Sequence, residues 1–302
     1  MSDIKMFRLQ GSSITELSGT AVALEKSLQT LFEKNLEALL GVRFLASEHP
    51  TSHGGRMDTL GIDENGCPVI IEYKRAVNEN VVNQGLFYLD WLMDHRGDFE
   101  LLVLKALGKE QANAIEWSAP RLICIAGDFT KYDEHAVKQM QRNIELVRYR
   151  RFGDDLLMLD LLTAVSSAAT TAATKPSAGH APVKYKTVSE YLADADERLT
   201  DLYESIRAFM LALGDDVQEK TLQLYIAFRR IKNFACVEIK PQNGVVRLYL
   251  KVDPDSIQLE KGFSRDVRKI GHFGTGDLEL TVATGEDFEK AKPLILKSYE
   301  AS

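Results

Sequence analysis

Three side chains able to do chemistry together fall within GRMDTLGIDENGCPVIIEYKR, residues 55–75. Glu72 and Lys74 lie two apart in PVIIEYKR, whose apolar run reads as a strand. Strand side chains alternate between faces, so both project from the same one. Asp58 sits on RMDTLGID just upstream, and the DENG turn between the two runs makes them a β-hairpin. Folding on that turn can bring Asp58 and Glu72 together at one end of the hairpin. Adjacent carboxylates repel one another unless a cation neutralises them. Mg²⁺ is the economical cation, because it takes oxygen ligands, commonly one or two carboxylates with phosphate oxygens and waters. Lys74 could then orient an attacking water or stabilise charge developing on phosphorus, while the ion favours a water nucleophile at neutral pH. This combination suits hydrolysis of a phosphodiester. The plainer alternative is a surface hairpin with a solvated Glu–Lys pair, a combination that many chains carry by chance.

Two further features favour the chemical reading. A helix beginning at Asn80 carries Gln84 and Tyr88 at i,i+4, hence on one face. An earlier helix over roughly 22–40, VALEKSLQTLFEKNLEALLG, carries Glu25, Glu33 and Glu37 on or near its apolar side, and any of them could supply a third carboxylate. That helix is predicted from Leu24, Leu28, Leu31, Phe32, Leu36 and Leu39 at three-and-four spacing, with Gly41 as its stop. Other elements must frame the hairpin. IKMFRLQGSSITEL reads as one or two short strands, and FLASE as another. Helices are expected at 79–95, about 109–116 and 133–143. RLICIAGDF is nearly all apolar, as a strand covered on both faces should be, with Cys124 an inert buried thiol. ELVRYRRF and DLLMLDLL complete the set as strands. Helices and strands mixed in this order predict an α/β sandwich with a mixed sheet.

The order acid-bearing helix, Asp, Glu-x-Lys, Gln-x-x-x-Tyr resembles the PD-(D/E)XK nuclease superfamily. EKSLQTLFEKNLEALL, GRMDTLGIDENGCPVIIEYKR and NQGLFYLDWL look like the catalytic domain of the mismatch- and flap-cleaving endonucleases of archaea and actinobacteria, over most of residues 20–130. The resemblance implies a restriction-endonuclease-like αβββαβ core in which carboxylates bind Mg²⁺ or Mn²⁺. It implies Asp58 and Glu72 as metal ligands, the Tyr73 backbone carbonyl as a third, and Lys74 positioning the attacking water. Gln84 would sit at the site edge, contacting DNA or the lysine, with Tyr88 supporting its helix. Glu25, in Glu-x-x-Leu-Gln, best matches the helix acid. Met57 departs from the motif, standing where the proline of the superfamily's name would precede the aspartate. No match to the N-terminal DNA-binding half of the mismatch enzymes is visible, which leaves their substrate preference untransferred. The expected activity is a metal-dependent DNA endonuclease in repair or defence, with DNA as partner, and a double-strand cut from one site per chain would favour a homodimer. The alternative is an inactive nucleic-acid- or partner-binding protein on the same fold; the joint presence of Asp58, Glu72, Lys74 and Gln84 argues against such decay.

The Ala/Ser/Thr/Pro-rich stretch at about 163–186 is expected to be a flexible linker, since it holds too few large apolar side chains to order itself. It would divide residues 1–162 from an α+β domain over 187–302. That domain opens with a helical stretch, 187–213, continues through a hairpin turning at Gln242-Asn243-Gly244 and a strand GDLELTVA, and ends in the helix EDFEKAKPLILKSYE. YIAFRRIKNFACVEI and DVRKIGHFGTGDLELTV resemble a small domain of uncharacterised function that often follows such nuclease domains. The loop GHFGTGD, 271–277, could cradle phosphate through backbone amides, although a tight turn is the simpler reading, and His272 there lacks triad partners.

A net charge of −7 over 302 residues speaks against a broad nonspecific nucleic-acid surface, so local basic clusters matter more. Arg148, Arg150 and Arg151 form one such cluster, and Arg229, Arg230 and Lys232 another. His49 and His53 lie near the presumed site without a cysteine partner, and Trp91 and Trp117 read as core. No run approaches the roughly eighteen apolar residues of a membrane span. With no secretory signature and three widely spaced cysteines, the expectation is a soluble cytoplasmic protein.

Overall fold

The alternating and all-apolar runs of the first half become one mixed sheet in the computed structural model, which describes residues 4–20, 25–52, 54–74, 81–165 and 186–302, the Glu25 side chain excepted. Two compact units divide the chain, Met1–Ser167 and Ala168–Ser302. The first begins with a small hairpin of β1 (Met6–Gln10) and β2 (Ser13–Leu17), followed by β3 (Gly19–Thr20), α1 (Glu25–Lys34) and α2 (Leu36–Leu40). The helix expected over 22–40 is thus broken at Asn35, whose Nδ2 donates to the Leu31 carbonyl and whose N–H reaches back to that of Phe32. A short polar side chain offers the backbone an alternative to the helical ladder at this point. Gly41 does stop the second segment, in the left-handed conformation that glycine accepts, at φ 64°.

The meander β4 (Val42–Pro50), β5 (Arg56–Asp63) and β6 (Pro68–Lys74) follows, then α3 (Val81–Asp94), α4 (Arg96–Leu107) and α5 (Lys109–Asn113). Next come β7 (Arg121–Ala126), α6 (Lys131–Gln139), β8 (Asn143–Phe152) and β9 (Leu156–Val165). Among the described residues the sheet has seven strands, ordered β3-β8-β7-β6-β5-β4 with β9 paired to β8. β6, β7 and β8 run parallel, and the remaining pairings are antiparallel. The order α1–β4–β5–β6–α3–β7 is the αβββαβ order. Every residue of β7 is buried, as its all-apolar sequence requires. α3 lies close against that strand: a Cβ on Gly85 would come within 2.4 Å of Leu122.

Some elements differ from expectation. α4 has no counterpart in the sequence reading, because GDFELLVLKAL packs its apolar residues side by side instead of on one stripe, leaving Leu101 and Leu104 exposed. Its anchorage is local, with Phe99 edge-on to Trp117 and Arg96 over the same indole. α6 runs earlier than 133–143 because Thr130 and Asp133 form a capping box that fixes its start. β9 carries three residues of the expected linker, 163–165, into the sheet, while 166–185 lie outside the described residues.

The DENG turn is built on Asp63, whose Oδ1 accepts from the N–H groups of Asn65 and Cys67, each at 2.9 Å. Its other oxygen accepts from Arg121 Nη1 at 2.8 Å, and Arg121 binds Glu145 through two further bonds of 2.8 and 2.9 Å. All three side chains are buried at the amino ends of the parallel strands. Burial by itself would lower the Arg121 pKa, yet the charges of Glu145 and Asp63 leave it raised, so the guanidinium stays protonated.

In the second unit, α7 (Val188–Asp194) and α8 (Glu197–Leu211) replace one expected helix, because Asp196 caps the start of α8 through the Leu199 N–H. β10 (Gln218–Thr221), β11 (Ile226–Arg229), β12 (Asn233–Lys240), β13 (Val245–Leu250), β14 (Ser264–Asp266) and β15 (Leu278–Val282) form an antiparallel sheet, closed by α9 (Gly285–Glu300). β12 and β13 turn around Gly244 at φ 64°, as the Asn-Gly pair predicts. Phe228, Phe234, Leu248, Leu250 and Leu280 pack against Ile206, Met210 and Ile295 of α8 and α9. The unit is α+β. No described helix in either unit is long and apolar enough to cross a membrane, and the three cysteines are free and buried.

Replacing Arg121 by Met should destabilise the first unit by about 3–5 kcal/mol, because two carboxylates would be left buried without their cation. Urea unfolding checks this; a loss below about 1 kcal/mol would mean the triad does not organise the turn.

Candidate active site

The β5–β6 ladder is regular up to the pair Thr59↔Ile71. Beyond it, side chains take over the cross-strand bonds. The Asp58 N–H donates to Glu72 Oε1 at 3.1 Å, and the Tyr73 N–H donates to Asp58 Oδ2 at 3.0 Å. Each strand's carboxylate therefore grips the other strand's backbone, and Asp58 and Glu72 come to lie side by side. Glu72 is fully buried, and Asp58 is half-buried. Lys74 ends β6 two residues on, partly exposed, in parallel register with Ala126 of β7. This is the carboxyl end of the parallel strands, where open α/β sheets place their ligand sites.

A second polar layer lies under β5. Gln29 of α1 is buried and donates Nε2 to the Asp58 carbonyl at 2.7 Å. Glu33 Oε1 accepts from Gln29 at 2.9 Å and from the Thr59 hydroxyl at 2.7 Å. Thr59 and Asp58 point to opposite faces of β5, so Glu33 is engaged on the face away from Asp58. Glu37 is exposed on α2. Glu25 is the first residue of α1, and its side chain lies outside the described residues. Tyr73 buries its ring edge-on to Phe32, and burial first of all pushes its phenol pKa up, so it remains neutral. The one mark of Gln29 in the sequence is its i,i+4 spacing to Glu33 on the inner stripe of α1.

The helix pair is brought to the same strand. Gln84 donates to the Tyr88 hydroxyl at 3.2 Å, and that hydroxyl accepts from the Arg56 N–H, also at 3.2 Å. Gly55 lies so close that a Cβ there would come within 2.7 Å of the hydroxyl. Tyr88 thus ties α3 to the start of β5, with Gln84 behind it.

Asp58, Glu72 and the Tyr73 carbonyl offer only hard oxygen donors, the type of donor set that Mg²⁺ and Mn²⁺ take. Among the described residues no three His, Cys, Asp or Glu side chains converge as metal ligands. His49 packs near Trp91 and its pKa is lowered by burial; His53 lies outside the described residues. Cys124 is buried, and that burial raises its thiol pKa, as expected of an inert thiol.

Each basic cluster turns partly inward, while Arg151 stays partly exposed beside Asp154. Arg148 is buried and paired with Asp160 and Asp128. Arg229 is buried and donates to the carbonyls of Arg230 and Ile231, while Arg230 pairs with Asp216 and lies over the Tyr299 ring. Two of the three glycines of GHFGTGD serve close packing: a Cβ on Gly274 would meet Cys236 at 2.6 Å, and one on Gly276 would meet the Leu250 nitrogen at the same distance. His272 stacks on Tyr249 at 4.5 Å and contacts the Ile270 carbonyl through Nδ1, so the loop is an anchored turn.

Residues 188–302 match a family described as a domain of unknown function, DUF5655. A protein of Haemophilus influenzae, described as uncharacterized, is 30% identical over 307 residues, covering 98% of this chain and all of its own length. Among solved structures, a repair endonuclease from Pyrococcus abyssi shares 19% identity over 45% of this chain at a TM-score of 0.29. This chain spans about half of that protein's length (51%), and the likeness is too slight to carry a conclusion.

Without metal, Asp58→Ala should cost about 1–3 kcal/mol, because the Tyr73 N–H loses its acceptor, whereas Asp58→Asn keeps an oxygen there and should cost less. Equal thermal denaturation midpoints for the two would disprove the crossed arrangement. Gly276→Ala should destabilise the second unit by about 1–3 kcal/mol through overpacking against backbone, read by near-ultraviolet circular dichroism on heating.

Proposed function

This chain belongs to the family of the Haemophilus influenzae protein that matches it end to end, and we propose that its first unit is a Mg²⁺- or Mn²⁺-dependent endonuclease acting on DNA. The observation that carries this reading is the crossed carboxylate–amide pair, which holds Asp58 and Glu72 together at the carboxyl end of the central strands. Two carboxylates are costly to hold adjacent, and a surface ornament would not need one of them fully buried. The motif resemblance of residues 20–130 points the same way.

Asp58, Glu72 and the Tyr73 carbonyl would hold the ion, which supplies electrophilic charge to the phosphodiester. Lys74, on the face of Glu72 and partly open to solvent, orients the attacking water and offsets charge on the phosphate. Gln84 braces the Tyr88 hydroxyl, which in turn fixes the backbone two residues before Asp58. The crossed hydrogen bonds hold the carboxylates in place before any ion arrives, so little rearrangement is needed on loading.

The test is cleavage of single-stranded, branched and mismatched DNA with Mg²⁺ or Mn²⁺. Lys74→Met should lower the rate by about 100-fold or more while leaving the unfolding midpoint unchanged. In parallel, Mn²⁺ at saturating concentration should raise the wild-type midpoint but not those of Asp58→Asn or Glu72→Gln. Absence of both cleavage and Mn²⁺ stabilisation would overturn the enzyme reading.

A further inference from the structure

We propose that Lys26 and Arg56, aimed by Glu48, form a clamp for a backbone phosphate of DNA beside the Asp58–Glu72 pair; the identity of the ligand rests on the nuclease reading above. The protein carries a net charge of −7, and within the sequence's two basic clusters Arg148, Arg229 and Arg230 are engaged by Asp160, backbone carbonyls and Asp216. Exposed cations beside Asp58 come from other elements. Lys26 and Arg56 qualify, with side chains 62% and 66% exposed. Both converge on one carboxylate: Lys26 Nζ lies 2.8 Å from Glu48 Oε1, and Arg56 Nη2 lies 3.3 Å from Oε2. Two cations around one anion leave a net positive spot.

The spot adjoins the site by two routes. Arg56 precedes Asp58 by two residues on β5, so it shares the Asp58 face at about 7 Å along the strand. Lys26 Nζ also donates to Gln29 Oε1 at 3.1 Å, and Gln29 Nε2 holds the Asp58 carbonyl at 2.7 Å. Lys26 is therefore two hydrogen bonds from the backbone of Asp58.

Glu48 adds an independent sign. At φ 51° it is the one non-glycine residue with positive φ among the described residues, and it lies within a strand. Its neighbours pair as Ser47↔Thr59 and His49↔Met57, which sets Glu48 opposite Asp58 in the ladder. Left-handed backbone at a side-chain-bearing residue is strained, and such strain clusters at functional sites. Exposed ion pairs contribute little to stability, so the two Glu48 bridges do not account for retaining it. Aiming two long, flexible cations does account for it, because their rotamers are fixed before a phosphate arrives.

The full-length protein should be titrated with fluorescent branched and single-stranded DNA in EDTA, where no cleavage occurs, across a range of salt concentrations. Lys26→Ala and Arg56→Gln should each weaken binding several-fold and each reduce the slope of log K against log salt, together by about 0.7–0.9, the one phosphate that they share. Arg56→Lys should retain most of the slope, and Lys109→Ala, an exposed lysine on α5, should leave it unchanged. Unchanged slopes for Lys26→Ala and Arg56→Gln in a DNA-binding wild type would overturn the clamp and leave the nuclease reading standing. A wild type that binds none of these DNAs would overturn both.

Discussion

Where the β5–β6 ladder gives out after Thr59↔Ile71, the two strands stay joined because each donates a main-chain N–H to the other's carboxylate. Much else follows from that crossing. It fixes Asp58 and Glu72 as neighbours, and it leaves Tyr73 and Thr59 to face α1. Buried charge is tolerated only when paired or hydrogen-bonded, and here the backbone supplies part of that compensation. The rest of the first unit can be understood as support for this junction.

Support arrives from three directions. Below β5, Gln29 and Glu33 bind the Asp58 carbonyl and the Thr59 hydroxyl, so α1 is keyed to the strand by polar contacts as well as by Leu28 and Phe32. From α3, the Tyr88 hydroxyl meets the Arg56 N–H, and the absence of a side chain at Gly85 lets that helix lie against Leu122. At the opposite end of the sheet, Arg121 binds Asp63 and Glu145 and so holds the DENG turn that sets the hairpin register. A slip of one residue would send Asp58 and Glu72 to the wrong face, which gives the buried triad a role in the geometry of a site at the far end of the strands.

The second unit is organised differently. Its sheet is antiparallel and buries one face under α8 and α9, and its glycine-rich loop packs tightly enough on β12 and β13 that two glycines are sterically required. His272 stacks on Tyr249, and its Nδ1 contacts the Ile270 carbonyl.

Much of the candidate site was legible in the sequence because it depends on short periods. Period two placed Glu72 and Lys74 on one face, a four-residue turn brought Asp58 back, and i,i+4 spacing aligned Gln84 with Tyr88. Helix stops at Gly41 and the Asn-Gly turn at Gly244 were equally local matters of backbone conformation. Other features could not be read this way. α4 lacks the stripe by which an amphipathic helix announces itself. Arg121 meets partners 58 and 24 residues away, and Lys26 meets one 22 residues away. Arg148, which reads as part of a basic surface, is buried against Asp160. A charged residue carries no local mark of whether it will be solvated, paired or buried, because that is decided by which strands become neighbours. The sequence alone therefore determined which carboxylates and lysine share a face, and only the tertiary structure decided what holds them there and which cations remain exposed beside them.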